Sequence, residues 1–452
     1  MLIVMKRIPI SFLPLLMAYV IMAAGCNKLL EEKSDQKLAV PSTITDFQAL
    51  MDNFTVLNSS EPISLEISAD DYSTSDADLA GSSEAQRRMY SWQKDYLFAP
   101  ANNDWSTTYR AVYHCGSVIS GLESSQIPRD AAFSNVMGQA LVFRAKFYMQ
   151  AMAVWGKSYL LSSGLDPGVP LRPSLNFNEA TVRASLKEGY DQAIAGLKMA
   201  VPLLPVKSIH PYRPSRAAAY GLLARAMLYT GRYMEAGLYA DSCIRLNDQL
   251  IDFNKLNAAD RYPFVLFNSE VIFDTYAAPG GPVVSTRARV NPRIIEAYQP
   301  NDLRKTLFFT QTNGNYFFKG TYHQPLLFFG IATDEMYLIL AECLVRTNQV
   351  QRGLAVLDKL LVSRFKTGTY RPLVSTDAEF ALQLVLDERR KELVMRGLRW
   401  MDLKRLNAQG ANILVSRGFN GQTVSLLPND LRYALPIPED IIQLSGIPQN
   451  ER

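Results

Sequence analysis

The sequence predicts a mainly α-helical fold, a scaffold of paired helices carrying inserted loops and a few short β-strands. Three stretches predict it. Arg216 to Leu246 reads as two helices on either side of Thr230-Gly231-Arg232, with Ala217, Ala218, Ala219, Gly221, Ala224, Ala236 and Ala240 small enough to let antiparallel neighbours approach closely. Asp334 to Arg364 repeats that layout less perfectly, through Leu338, Ala341, Leu344, Val350, Ala355, Leu357 and Leu360. Asp387 to Arg405 is a charged corner of two helices, with Leu386, Leu393, Leu398, Trp400, Met401, Leu403 and Leu406 as its apolar surface and Gly397 as the point where one helix stops and the chain is re-aimed. Asp387 and Lys391, and Glu392 and Arg396, lie four residues apart and are expected to pair along a helix face.

The two helix pairs have a tetratricopeptide-like layout, but they are not tandem. An ideal array repeats every ~34 residues, whereas a long segment separates these two pairs. The expectation is a helical-repeat scaffold with large insertions.

Taken in order, residues 1–25 read as a signal peptide. Lys6-Arg7 give the positive start, Ile8 to Ala23 the apolar stretch, and Ala23-Ala24-Gly25 the small residues ahead of Cys26. The stretch is short and broken by Pro9 and Pro14, unlike a spanning helix of ~20 apolar residues. Residues 26–40 follow as a polar tether, with Glu31-Glu32 and Asp35 near its start, and 41–452 form one domain. Pro41-Ser42-Thr43 opens a helix through Met51. Ile63 to Pro100 is loop-like, with a Ser/Asp/Gly-rich run from Ser73 to Ser83. Helices are predicted over Tyr109–Leu122, Met137–Trp155 and Val182–Ala200. Pro263–Phe267, Glu270–Asp274 and Tyr316–Lys319 are rich in β-formers and predict short strands. Ala278 to Pro282 is a loop, and Gly410 to Asp430 a mixed, largely polar excursion.

Composition excludes several classes. With 48% hydrophobic and 20% charged residues and a net charge of +4 over 452 residues, the chain has the balance of a globular protein and no concentrated basic face for nucleic acid. His114, His210 and His323 are too scattered in sequence to suggest a metal site. Cys115, Cys243 and Cys343 sit in apolar helical stretches and are expected to be reduced core residues. There is no nucleophile elbow, phosphate-cradling loop or zinc spacing. The chain is therefore read as a non-enzyme with no cofactor and no metal. Asp70-Asp71 and Glu31-Glu32 are among the candidates by spacing for glycoside hydrolysis, but adjacent residues on an extended loop point in opposite directions and the second pair sits in the tether.

The corner at Glu388, Arg389, Glu392, Leu393, Gly397, Arg399, Trp400, Asp402, Leu403 and Arg405 resembles the signature of the SusD/RagB family of surface lipoproteins. Trp155-Gly156-Lys157-Ser158-Tyr159, Tyr298 with Asp302 and Arg304, and the closing Pro436-Ile437-Pro438 and Gln449-Asn450 are similar to further family segments. Met395-Arg396 departs from the Phe-Glu common there, reversing a charge at the joint. The resemblance implies an outer-membrane, cell-surface protein lipidated at Cys26, where the small residues resemble a lipobox. It also implies an oligosaccharide ligand and a partner, a SusC-like TonB-dependent transporter to which that ligand is delivered. Peptide capture, as in RagB-like members, and a tetratricopeptide-like protein-binding scaffold are the alternatives.

Sugar recognition uses aromatic faces against C–H surfaces and short amides or carboxylates for hydroxyls. Ligand-binding loops are accordingly expected at about 63–105 and 263–330. Asp70, Asp71, Trp92, Asn102, Asn103 and Trp105 are the expected ligand contacts, with Tyr72, Arg87 and Tyr276 as secondary candidates.

Overall fold

Capping side chains set where the long helices begin. In the computed structural model, which describes residues 41–452 apart from 163 and 177, Asn103, Asp130, Ser185, Ser215 and Asp377 each accept a hydrogen bond from a backbone N–H of the first helical turn. The helices they open are α2 (Asp104–Ser124), α3 (Ala131–Trp155), α4 (Leu186–Leu203), α5 (Arg216–Tyr229) and, later in the chain, α9 (Ala378–Glu392); α1 is Ile44–Met51, α6 Tyr233–Leu246, α7 Thr333–Arg346, α8 Val350–Leu361 and α10 Arg399–Ala408. The expected signal peptide, the expected lipidation site Cys26 and the expected tether lie outside the described residues. The compact unit is Ile44–Arg452.

Each long helix packs on the next: α2 on α3, α3 on α4, and so on through α5 and α6, with α6 on α7 and α7 on both α8 and α9. Small residues allow this. A Cβ on Gly237 of α6 would come within 3.1 Å of Cys343 on α7, and one on Gly353 of α8 within 2.9 Å of the Ala341 carbonyl oxygen. The two helix pairs expected from the sequence are both present and are bridged by the α6–α7 contact, so the inserted segment leaves and rejoins a continuous stack. Cys115, Cys243 and Cys343 are buried free thiols in this stack. Burial pushes the Cys115 and Cys343 thiols up to about 12.

The insertions carry the strands. Tyr72–Ser73, Arg289–Val290, Asn315–Phe318 and Phe309–Thr312 form an antiparallel sheet in that order, while Val271–Phe273 pairs with Ile331–Ala332 and Tyr276–Ala277 with Leu327–Phe328. The expected strand at Pro263–Phe267 is not one; it is an irregular loop in which Phe267 has φ +56°. The 63–100 region is not all loop. Ser64–Ile67, Asp76–Ala80 and Glu84–Tyr90 are short helices, the last two capped by Ser75 and Ser83, so the serines read as loop composition act as helix starts. Gly410–Asp430 contains a hairpin, Val415–Phe419 with Gln422–Leu426, turning at Asn420-Gly421, both with positive φ.

The charged corner forms as expected, with α9 and α10 either side of Gly397 at φ +69°. Its predicted ion pairs do not. Helix α9 ends at Glu392, so Arg396 is no longer one turn along the same face. Glu392 instead meets Arg304 at 2.9 Å and Arg364 at 2.8 Å, and Arg396 meets Asp334 at 3.1 Å. Lys391 pairs with Glu388, and exposed Asp387 accepts from Gln383. Arg304 also binds Asp302 and Glu388; Arg405 joins Asp402 to Glu342, and Arg389 binds Asp402. These buried ions pair across elements distant in sequence, which is the condition for tolerating them inside, although Nη1 and Nη2 of Arg389 and Nε and Nη2 of Arg396 have no hydrogen-bond partner. Burial opposes ionisation of Asp402, but Arg389 and Arg405 hold its carboxyl at about 2.

Candidate functional site

The Phe54 segment, the loop before α5 and the inserted segments carrying Phe267, Tyr276 and His323 bring aromatic rings together at one surface. Asn58, just after the turn that carries Phe54, donates through Nδ2 to the Tyr212 carbonyl at 3.0 Å and to the Asp274 carbonyl at 2.7 Å. Its own carbonyl accepts from the Tyr276 N–H at 2.8 Å, and Asp274 N–H donates to the Pro211 carbonyl at 2.9 Å. One buried amide thus ties the Phe54 turn, the loop Val206–Arg213 and the strand region 274–276 together.

Tyr212 is the centre of the cluster. Phe54 lies parallel to it at 5.8 Å, Phe267 meets it edge-on at 5.2 Å, and His210 is 4.9 Å away. Behind it, Tyr276 and His323 are at 6.1 and 6.2 Å and stack on each other at 3.8 Å. Apart from the closer Tyr276–His323 stack these are ordinary aromatic packing distances, but the outer rings face water: Phe54 is 50% exposed, His210 is exposed, and Tyr212 and Phe267 are half-buried. The positive φ of Phe267 is strained for a bulky side chain and turns its ring toward His210 and Tyr212 while Val265 and Leu266 remain exposed.

Polar groups frame the rings. Arg213 donates from Nε and Nη2 to both oxygens of Asp52 at 2.6 and 2.5 Å, a forked pair at the rim of a cleft of about 210 Å³ that Phe54, Asn58, Ile209, His210 and Tyr212 also line. Below, His323 Nδ1 lies 2.7 Å from Asp274, whose other oxygen has no hydrogen-bond partner. Burial raises the Asp274 carboxyl, and the His323 contact opposes that rise. Burial also raises the hydroxyls of Tyr212 and Tyr276, so both remain protonated, neutral hydrogen-bonding groups at neutral pH.

The expected contacts in the 63–105 region are placed differently. Trp92 is 1% exposed, donates its indole N–H to the Ser68 carbonyl and lies under the Arg417 guanidinium. Trp105 is 4% exposed and packs against Tyr109 and Trp155. Neither offers a ring face to a ligand; both are core, because helix α2 and the short helices of this region turn inward. Asp70 is committed to Arg399 at 2.6 Å and Arg390 at 3.0 Å, and Asp71 is buried 3.7 Å from Arg390. Asn103 is spent on capping α2, while Asn102 is exposed. Tyr72 is buried with its hydroxyl on the Ile67 carbonyl, and Arg87 is held by Glu84 and the Ser82 carbonyl. Tyr96, not among the expected contacts, is the exposed aromatic of this loop at 62%. Tyr276 does reach an aromatic site, but the one at Tyr212. His210 and His323, distant in sequence, both contact Tyr212. No spacing rule brings them together; only the pairing of 276–277 with 327–328 does.

For a metal, the oxygens of Glu270, Asp334 and Glu392 lie within 4.8 Å of one another. Arg364 bridges Glu270 and Glu392 and Arg396 takes Asp334, so guanidinium groups already balance the charge. Among the described residues no helix is long and apolar enough to cross a membrane.

Two family models match the chain in succession, one described as starch-binding associating with outer membrane over residues 28–228 and one described as SusD family over residues 296–451. No curated protein matches. Solved structures do. A SusD superfamily protein from Bacteroides thetaiotaomicron is 21% identical with a TM-score of 0.74, over 91% of this chain and 100% of its own. A SusD-like carbohydrate binding protein from Bacteroides vulgatus is 17% identical with a TM-score of 0.70, over 90% and 97%. A laminarin binding SusD-like protein is 16% identical with a TM-score of 0.66, over 91% and 99%. At these identities the likeness is one of fold.

Proposed function

The chain belongs to the SusD/RagB family, and on that premise we propose that it is a non-enzymatic, lipid-anchored outer-membrane protein that binds glycan and delivers it to a SusC-like TonB-dependent transporter. The observation that carries the binding step is the open aromatic face of Phe54, His210, Tyr212 and Phe267 beside the Asp52–Arg213 pair. Ring faces cover the apolar C–H surface of a sugar, and the carboxylate and guanidinium edges present acceptors and donors to neighbouring hydroxyls. The starch-binding description of the first family model and the laminarin-binding neighbour support a glycan ligand. Anchoring rests on the small residues before Cys26, and delivery on the family resemblance.

Residues 27–452 run by affinity electrophoresis through starch, laminarin and a panel of other polysaccharides test this. Retardation by one class, lost in Tyr212→Ala, is the expected result. Retardation that survives Tyr212→Ala removes this face as the site. Peptide capture is the second reading, favoured by the exposed aliphatic side chains Ile209, Val265 and Leu266 at the rim. Binding of a peptide library in place of every glycan would establish it.

A further inference from the structure

The loop Val206–Arg213 has a cleft on each side. One is the aromatic cleft around Tyr212. The other, of about 380 Å³, lies between the loop, the end of α6 and residues 267–272. Its walls carry Ser208, Asn247, Gln249, Asn268 and Ser269, and Lys207 is its one formally charged lining residue. Ile209 lines both clefts and is 84% exposed, so it stands as the crest between them. Phe267 walls the second cleft, and its ring contacts His210 and Tyr212 on the side of the first.

We propose that the two clefts are subsites of one groove and that its ligand is a saccharide chain long enough to pass over Ile209 and occupy both. This deepens, and rests on, the glycan reading above. At about 210 and 380 Å³, the first cleft falls short of the ~300–1,000 Å³ of a complete small-ligand pocket and the second lies at its lower end. A short sugar filling one gains nothing from the other, whereas in a continuous chain the second contact becomes intramolecular. The chemistry is divided accordingly. The first cleft grips ring faces and orients hydroxyls on an ion pair. The second presents the exposed side chains of Gln249 and Ser269, an amide and a hydroxyl that donate and accept, whereas the Asn268 amide is taken by the Val265 carbonyl and the Glu270 N–H.

The test is calorimetric titration of residues 27–452 with maltooligosaccharides and with laminarin-derived oligosaccharides, each from disaccharide to heptasaccharide. Ser269→Trp, which places a large ring on an exposed position of the second cleft, serves as the block, with circular dichroism confirming that it folds. Affinity in one series rising on the order of tenfold or more with length, and Ser269→Trp abolishing that rise while leaving disaccharide binding unchanged, is the expected result. Binding that is independent of length, or a rise that Ser269→Trp leaves intact, overturns the groove and leaves the aromatic site standing. No binding of either series at any length, with peptides bound instead, overturns the groove together with the glycan reading.

Discussion

Tyr212 is a residue whose removal separates binding from stability. It sits on a loop, half-buried, and its neighbours are held by the Asn58 amide rather than by its ring. Tyr212→Ala is expected to weaken glycan binding at least about tenfold, by calorimetry, with an unfolding free-energy change within about 1 kcal/mol. Glu66 separates the two in the other direction. It is fully buried, accepts from the Gly397 N–H at 2.9 Å, and burial followed by the nearby Asp71 charge raises its carboxyl to about 8. Its folded form therefore holds a proton more tightly than the unfolded form. The stability it contributes is complete below the unfolded value near 4.5 and is lost as pH rises to about 8. Urea unfolding at pH 5 and pH 9 should show Glu66→Gln losing less stability over this interval than the parent, by roughly a few kcal/mol; equal losses in both would show that the Glu66 carboxyl is ionised throughout. At this scale the sequence is informative about residue type and poor about exposure. Trp92 and Trp105 have the chemistry of sugar contacts, but a tryptophan reads the same in a loop that faces water and in one that folds over a core. His210, His323 and Tyr212 give no sequence signal as a group, because their meeting depends on pairings between segments far apart in the chain.

The elements are more legible. Period and capping place the long helices, and the Gly397 corner follows from a glycine after a charged amphipathic run. A Cβ at Gly397 would lie 2.4 Å from the Phe329 ring, in a backbone conformation that side chains resist. Gly397→Ala is expected to cost on the order of 1–3 kcal/mol, read as a lower thermal midpoint. Arg304, 0% exposed, pairs with its neighbour Asp302 and ties the segment leading into the Phe309–Phe318 hairpin to α9 through Glu388 and Glu392. Arg304→Met leaves three buried carboxylates short of a partner and is expected to cost about 3–5 kcal/mol in denaturant titration; a loss below about 1 kcal/mol would mean that the carboxylates share protons instead. What is illegible at this scale is short. Two- and three-residue strands lie below any period, and the hairpin at Val415–Leu426 is signalled only by Asn420-Gly421, which a largely polar composition conceals. The local pairs expected for Asp387, Lys391, Glu392 and Arg396 fail because helix α9 ends one turn before Arg396 and because distant arginines compete better for a buried glutamate.

For the whole molecule, the testable property is attachment. The proposed anchor predicts that Cys26→Ser moves the protein from the membrane fraction to the soluble fraction of fractionated cells, with glycan binding by the released protein unchanged; retention in the membrane without the cysteine would remove lipidation as the means of attachment. The fold class and the family signature are both readable because they rest on repeated patterns spread over the chain. The ligand surface is not, because it is assembled from insertions that follow no pattern.

The ion network of the corner has a consequence for how such a chain is made. Asp70 is neutralised by Arg390 and Arg399, Glu270 by Arg364, and Asp334 by Arg396. A chain emerging from its amino end carries the acids first and receives the bases last. Until roughly the final fifth is available, closing the interior would strand carboxylates without counter-ions, at a cost of several kcal/mol each. The nascent chain is thereby kept from completing its fold early, as export across a membrane to the proposed lipid anchor would require.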